Sequence, residues 1–216
     1  MNLIKKINYN YILPRLIRVI VWDYDGTIFR SPEIGIAYEK KYFEFSQKNS
    51  TSRLKSIDDF RNIVKSRGSW KKAASFITGK NEMDIVNWVD SRVKKSKFVK
   101  PDKNIVQLIE RLSGYQHLIL SNAKRQEIMH GLKIIGFTQK GSTFLPFIRI
   151  FSRDDGINKP ELKSFSRVIS FTKLPARKHL IIGDSQNEDI KPARQVGIEA
   201  IHINDAQDIL IKWPTK

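Results

Sequence analysis

An α/β fold built on a parallel sheet of about five strands is what this sequence predicts, and three observations carry the prediction. From residue 101 onward, short apolar runs of strand character alternate with segments whose apolar residues recur every three or four positions. A first such run, RVIVW at 18–22, stands far ahead of that alternation. Between the two lies a stretch, 30–100, with helical periodicity and almost no strand signal. Alternating strand and helix packs as a parallel sheet covered by helices on both faces. The middle stretch therefore interrupts the layout directly after the first strand.

The N-terminal MNLIKKINYNYILPRLIRVIVW is mildly apolar, but Lys5, Lys6, Asn8, Asn10, Pro14, Arg15 and Arg18 break it long before the roughly 20 apolar residues a membrane span needs. It also lacks the unbroken apolar stretch and small-residue cleavage site of a secretory signal. It is expected to lead into the first strand. In the insertion, Ile34, Tyr38 and Tyr42 line one face of a helix, and Asp84, Ile85, Trp88 and Val89 open another, with breaks at 49–52 and 66–69. After Pro101, Ile105, Leu108, Ile109 and Leu112 mark a helix that stops near Gly114, followed by the strand HLILSN at 117–122. Ile128, Met129, Leu132 and Ile135 mark the next helix, closed by Gly136, and FIRIF at 147–151 is a strand. Leu162, Phe165, Val168 and Ile169 give a third helix, HLIIGD at 179–184 a further strand, residues 190–195 a short helix ending at Gly197, and EAIHI at 199–203 the last strand. The expected organisation is a Rossmann-like core of residues 1–29 and 101–216 carrying a small all-helical domain over 30–100.

Composition narrows the chemistry. The 216 residues are 40% apolar and 28% charged, as in an ordinary globular protein, and none is cysteine. Disulfides, thiolate metal sites and a cysteine nucleophile are excluded, and the absence fits a reducing, cytoplasmic setting. The formal net charge of +17 attracts anions, from phosphorylated metabolites to nucleic acid. It is concentrated in residues 30–100, which hold 17 Lys/Arg against 8 Asp/Glu. Weak polyanion binding through that basic segment is one reading; solvated lysines, including the run VKKSKFVK at 93–100 and Lys71 and Lys72 beside Trp70, are the plainer one. His117, His130, His179 and His202 show no metal-ligand spacing and read as structural.

Ligands in open parallel sheets bind beyond the carboxyl ends of the strands. Those ends carry polar residues out of keeping with the runs before them: Asp23 and Asp25, Ser121 and Asn122, Asp184 and Asp189, with Lys159 in the loop before the third core helix. Taken singly each has a bland explanation, since Asp-Gly makes turns and Ser, Asn and Asp cap helices. Taken together, crowded carboxylates need a cation, and an oxygen-only donor set favours a hard ion such as Mg²⁺. A hydroxyl, an amide and a lysine nearby complete a cradle for a phosphoryl group. A carboxylate can attack phosphorus, and a second one two residues along an extended chain shares its face and can carry the proton.

The set resembles the haloacid dehalogenase-like (HAD) superfamily, with four motifs in order: DYDGT at 23–27, LILSN at 118–122, Lys159 in NKPE, and GDSQNED at 183–189. The resemblance runs from Arg18 to Asn204. It implies Asp23 as nucleophile, Asp25 as general acid/base, and Mg²⁺ held by Asp23, the main-chain carbonyl of Asp25 and Asp184. Ser121, the Asn122 region and Thr27 would serve the phosphoryl group and the aspartate loop. Lys159 would offset charge, and Asp189 would support Lys159 or a metal-bound water. Residues 30–100 fall where the family inserts its helical cap. Dehalogenases in this family lack an acid two residues beyond the nucleophile, so Asp25 favours an enzyme that handles a leaving oxygen. The implied activity is a Mg²⁺-dependent phosphatase working through an aspartyl-phosphate on a small phosphorylated metabolite such as a nucleotide or sugar phosphate. The alternatives are a sugar-phosphate mutase similar to β-phosphoglucomutase and a basic, polyanion-binding protein with a HAD core.

Overall fold

The computed structural model describes residues 16–50, 54–141 and 143–203. The N-terminal lead-in before residue 16 and part of the expected break at 49–52 lie outside the described residues. The described residues divide into two compact units, one made of those up to Arg30 together with those from Val99 onward, the other of those within Ser31–Phe98.

The first unit is built on strands β1 (Val19–Trp22), β2 (Gln116–Leu120), β5 (Phe147–Phe151), β6 (His179–Gly183) and β7 (Glu199–His202). They form one parallel sheet in the order β5-β2-β1-β6-β7. β1 is central: Trp22 pairs with Ile119 of β2 on one side and Ile182 of β6 on the other. All four of its residues are buried, as a strand covered on both faces requires. Val19, Val21, Leu118, Leu120 and Ile181 turn to one face, where they pack with Phe165 and Val168 of α7 (Leu162–Thr172) and Ala193 of α8 (Lys191–Gln195). Alternation sends Ile20, Trp22, Ile119 and Ile182 to the other face. Helices α5 (Lys103–Arg111) and α6 (Arg125–Ile135) bury Ile105, Leu108, Ile109, Ile128 and Leu132. A two-residue hairpin, β3 (Gln139–Lys140) and β4 (Thr143–Phe144), precedes β5 and was not expected from the sequence.

This order has a functional consequence. From β1 the chain builds outward through β2 and β5, then returns past β1 to build β6 and β7. The ends of β1, β2 and β6 therefore lie side by side at the switch point, where such sheets bind ligands.

The second unit holds α1 (Pro32–Asn49), α2 (Ile57–Arg67), α3 (Trp70–Thr78) and α4 (Glu82–Asp90). Each begins on a side-chain cap: Ser31, Ser56, Ser69 and Asn81 accept hydrogen bonds from main-chain N–H groups of the first turn. Tyr42, Phe45, Phe60, Ala73, Ala74, Ile85, Val89 and Val93 form its core. It thus encloses an apolar centre of its own.

Candidate active site at the ends of β1, β2 and β6

Leaving β1, the chain turns at once. The Phe29 N–H bonds to the Tyr24 carbonyl at 2.8 Å and the Gly26 N–H to the Phe29 carbonyl at 2.8 Å, a tight loop that presents Asp23 and Asp25 at its base. Gly26 is required twice over. Its φ is +85°, and a Cβ there would lie 2.1 Å from Asp184 Oδ2. Tyr24, between the two acids, is buried against Phe29 with ring centroids 5.9 Å apart. Its hydroxyl fills the place of a side chain at Gly131, where a Cβ would be 1.6 Å away.

Asp23 is 4% exposed, Lys159 3% and Asp189 1%. The Lys159 Nζ donates to Asp23 Oδ1 at 2.6 Å and to Asp189 Oδ1 at 2.5 Å, bridging two buried carboxylates. The Thr27 hydroxyl donates to Asp23 Oδ2 at 3.3 Å, and the Ser185 N–H to Asp189 Oδ2 at 3.1 Å. One carboxylate oxygen each from Asp23, Asp184 and Asp189 lies within 4.8 Å of the others. Asp25 is half-buried, and its side chain is not among these three.

Three acids face one ammonium. Burial pulls the Lys159 ammonium towards neutrality, but Asp189 and Asp23 outweigh it and hold its pKa above the ordinary lysine value. Burial pushes the Asp23 carboxyl well above the usual range, against the pull of Lys159 and with Asp189 and Asp184 adding to the rise. Asp184 is raised too, by partial desolvation and then by Asp189. The donor set therefore carries more negative charge than Lys159 offsets. A divalent cation with oxygen ligands fits it, because the cation would favour the ionised form of Asp23 and Asp184, the two acids that burial and their neighbours raise.

Ser121 is buried, and its Oγ accepts from the Ala123 N–H at 3.1 Å, leaving its own O–H to donate. The Asn122 amide grips the main chain of Lys159. Oδ1 accepts from the Lys159 N–H at 2.7 Å and Nδ2 donates to the Lys159 carbonyl at 3.1 Å. A main-chain N–H can only donate, which settles the orientation of the amide. The second Nδ2 proton points to Glu188 Oε2 at 3.3 Å. The family resemblance implies a phosphoryl contact from the Asn122 region; the Asn122 side chain bonds to the Lys159 main chain, and its own main chain is a separate matter from those bonds. Glu188 was not singled out, although it sits inside the acidic fourth motif. There Gln186–Ile190 forms a π-helical turn, a local widening often found at functional sites. His117 and His179 are buried in hydrogen bonds away from this cluster. His202 reaches it, with Nε2 2.7 Å from the Asp184 carbonyl.

A family described as haloacid dehalogenase-like hydrolase matches residues 20–203. The chain belongs to that family. It is a HAD hydrolase and hence an enzyme. Comparison with curated proteins gives no match. Among solved structures, this HAD hydrolase is similar to one described as a predicted phosphoglycolate phosphatase from Haemophilus somnus (TM-score 0.59, 17% identity, 87% of this chain and 85% of that one). It is also similar to YfnB from Bacillus subtilis, described as a HAD-hydrolase bound to magnesium (0.57, 20%, 87% of each chain). A third is L-2-haloacid dehalogenase from Xanthobacter autotrophicus (0.53, 17%, 91% and 81%). At such identities these likenesses concern the fold of the HAD hydrolase; they include both phosphatase and dehalogenase descriptions.

Proposed function

We propose that the protein is a Mg²⁺-dependent phosphomonoester hydrolase. The observation that carries this reading is the Lys159 ammonium bridging buried Asp23 and Asp189 beside Asp184, with Asp25 two residues beyond Asp23. An enzyme displacing halide has no leaving oxygen to protonate. A second acid on the loop after Asp23 supports a reaction that does.

Asp23 attacks phosphorus through a carboxylate oxygen, forming the acyl phosphate as the bond to the substrate oxygen breaks. Asp25 gives its proton to that oxygen and the alcohol leaves. Asp25 then takes a proton from water, which attacks phosphorus, and phosphate departs as Asp23 is restored. Lys159 keeps Asp23 aligned and offsets charge on the transferring group, while Ser121 donates to its oxygens. Magnesium, held by Asp23, the Asp25 carbonyl and Asp184, would neutralise phosphoryl charge. Ser31–Phe98 is assigned the role of a cap, and its basic balance would draw in anionic substrates.

The test is hydrolysis of p-nitrophenyl phosphate with Mg²⁺ and with EDTA, alongside sugar phosphates, nucleotides and phosphoglycolate. Turnover that needs Mg²⁺ and is lost by several powers of ten in Asp23→Asn is expected, since each ~1.4 kcal/mol of barrier is tenfold in rate. Undiminished turnover by Asp23→Asn would overturn the mechanism. Release of halide from a 2-haloacid, with no phosphatase activity, would overturn the reaction class.

A further inference from the structure

We propose that His202 is a positioning residue for the cation site, acting on Asp184 through its main chain; this rests on the reading of the acid cluster as a Mg²⁺ site. The three acids are held differently. Asp23 and Asp189 are fixed through their carboxylates, by Lys159, Thr27 and the Ser185 N–H. Asp184 is the solvent-facing member, contacted at its main-chain carbonyl and confined in the space its carboxylate occupies.

The β6–β7 ladder closes with Gly183 opposite His202 and with the Ile203 N–H bonded to the Gly183 carbonyl at 3.0 Å. The Asp184 carbonyl is the next acceptor along. The imidazole of His202 takes it, at 2.7 Å, so a side chain adds one rung beyond the end of the ladder. A carbonyl only accepts, so Nε2 carries the hydrogen. On its other side the Asp184 carboxylate lies against the Cα of Gly26, with no room for even a methyl group between them. A shift of the Asp184 backbone would therefore either drive the carboxylate into the Asp23–Thr27 loop or lift it off. His202 sets that distance, and with it the span between the Asp184 and Asp23 oxygens that a small, strictly octahedral ion requires.

The experiment measures Mg²⁺ binding directly by titration calorimetry, with melting temperatures and phosphatase kinetics on the same samples. His202→Ala and His202→Leu remove the donor, and His202→Gln keeps one. Partners that orient a metal's ligands typically change affinity 10–100-fold. The expected result is at least tenfold weaker Mg²⁺ binding in the Ala and Leu variants and substantial recovery in Gln. At saturating Mg²⁺, kcat and the KM for p-nitrophenyl phosphate should approach those of the native protein. Folded Ala and Leu variants with native Mg²⁺ affinity would overturn the proposal, as would a folded Gln variant no better than they are. Failure of both Ala and Leu to fold would assign His202 to stability and overturn it too. Native protein that takes up no Mg²⁺ would remove the reading of the site itself, a pattern distinct from the others.

Discussion

Trp22 and Asp23 are neighbours in the chain and both are withdrawn from water, yet their polar atoms are satisfied in opposite ways. The Trp22 indole N–H donates to His117 Nδ1 at 3.0 Å, and the other nitrogen of His117 donates to the Leu112 carbonyl at 2.9 Å. That chain is neutral and closed, each group meeting one partner. One residue later, Asp23 enters a cluster of three acids and one ammonium whose charges do not cancel. A buried network that serves only the fold completes its own hydrogen bonds. A surplus of charge at a strand end marks a place that waits for a ligand.

The sharpest way to break this contrast is Lys159→Met, which leaves Asp23 and Asp189 buried without their common partner. Removing one side of a buried ion pair costs about 3–5 kcal/mol, so a large drop in unfolding midpoint at pH 7 is expected. Turnover should fall by about a hundredfold or more. Addition of Mg²⁺ should raise the midpoint of this variant more than that of the native protein, which a thermal melt with and without the ion would show. A variant indifferent to Mg²⁺ would contradict the charge surplus.

Gly131→Ala probes the boundary between the two regions, because Tyr24 lies between Asp23 and Asp25 and its hydroxyl occupies the space a methyl group would take. Overpacking of this kind costs up to about 3 kcal/mol, read by urea denaturation. Combining it with Tyr24→Phe should recover part of the loss. Asn122→Ala removes both bonds to the Lys159 main chain, worth about 1 kcal/mol each. Its signature should be kinetic as well under the proposed mechanism, in which Lys159 serves the reacting group: kcat lowered about tenfold with KM little changed. Equal loss in both parameters would point to general loosening of the site.

The smallest expected effect tests the neutral chain. Burial holds His117 below the ordinary histidine pKa, as it does His179. The unfolded chain therefore binds more protons than the folded one as pH falls below about 6.5, and stability declines through that window, while above it the full contribution is present. His117→Gln can still donate and accept but does not titrate. Its urea midpoint should change less between pH 7.5 and pH 5 than that of the native protein.

Much of this was legible in the sequence, for a physical reason. Strands buried on both faces read as unbroken apolar runs, so the polar residues after Trp22, Leu120 and Gly183 stood out against them. Other features depend on partners far away in the chain. Gly131 is visible as a glycine inside a helical pattern, but nothing nearby says that it receives Tyr24. That the Asn122 amide bonds to the main chain of Lys159, 37 residues away, has no local signal either. The β3–β4 hairpin has two-residue strands, too short for alternation to register. The π-helical turn at Gln186–Ile190, which brings Glu188 towards Asn122, has no periodicity of its own.

The central place of β1 also bears on how the molecule is made. Val19 pairs with Gln116 and with His179, so β1 lies between partners that leave the ribosome long after it. At about 5–20 residues per second, VIVW waits on the order of ten seconds for β6. During that interval Ser31–Phe98, whose apolar centre is drawn from its own helices, has all it needs to fold. The order of manufacture runs against the order of assembly, and the nascent chain carries its most apolar strand uncovered while the insertion forms.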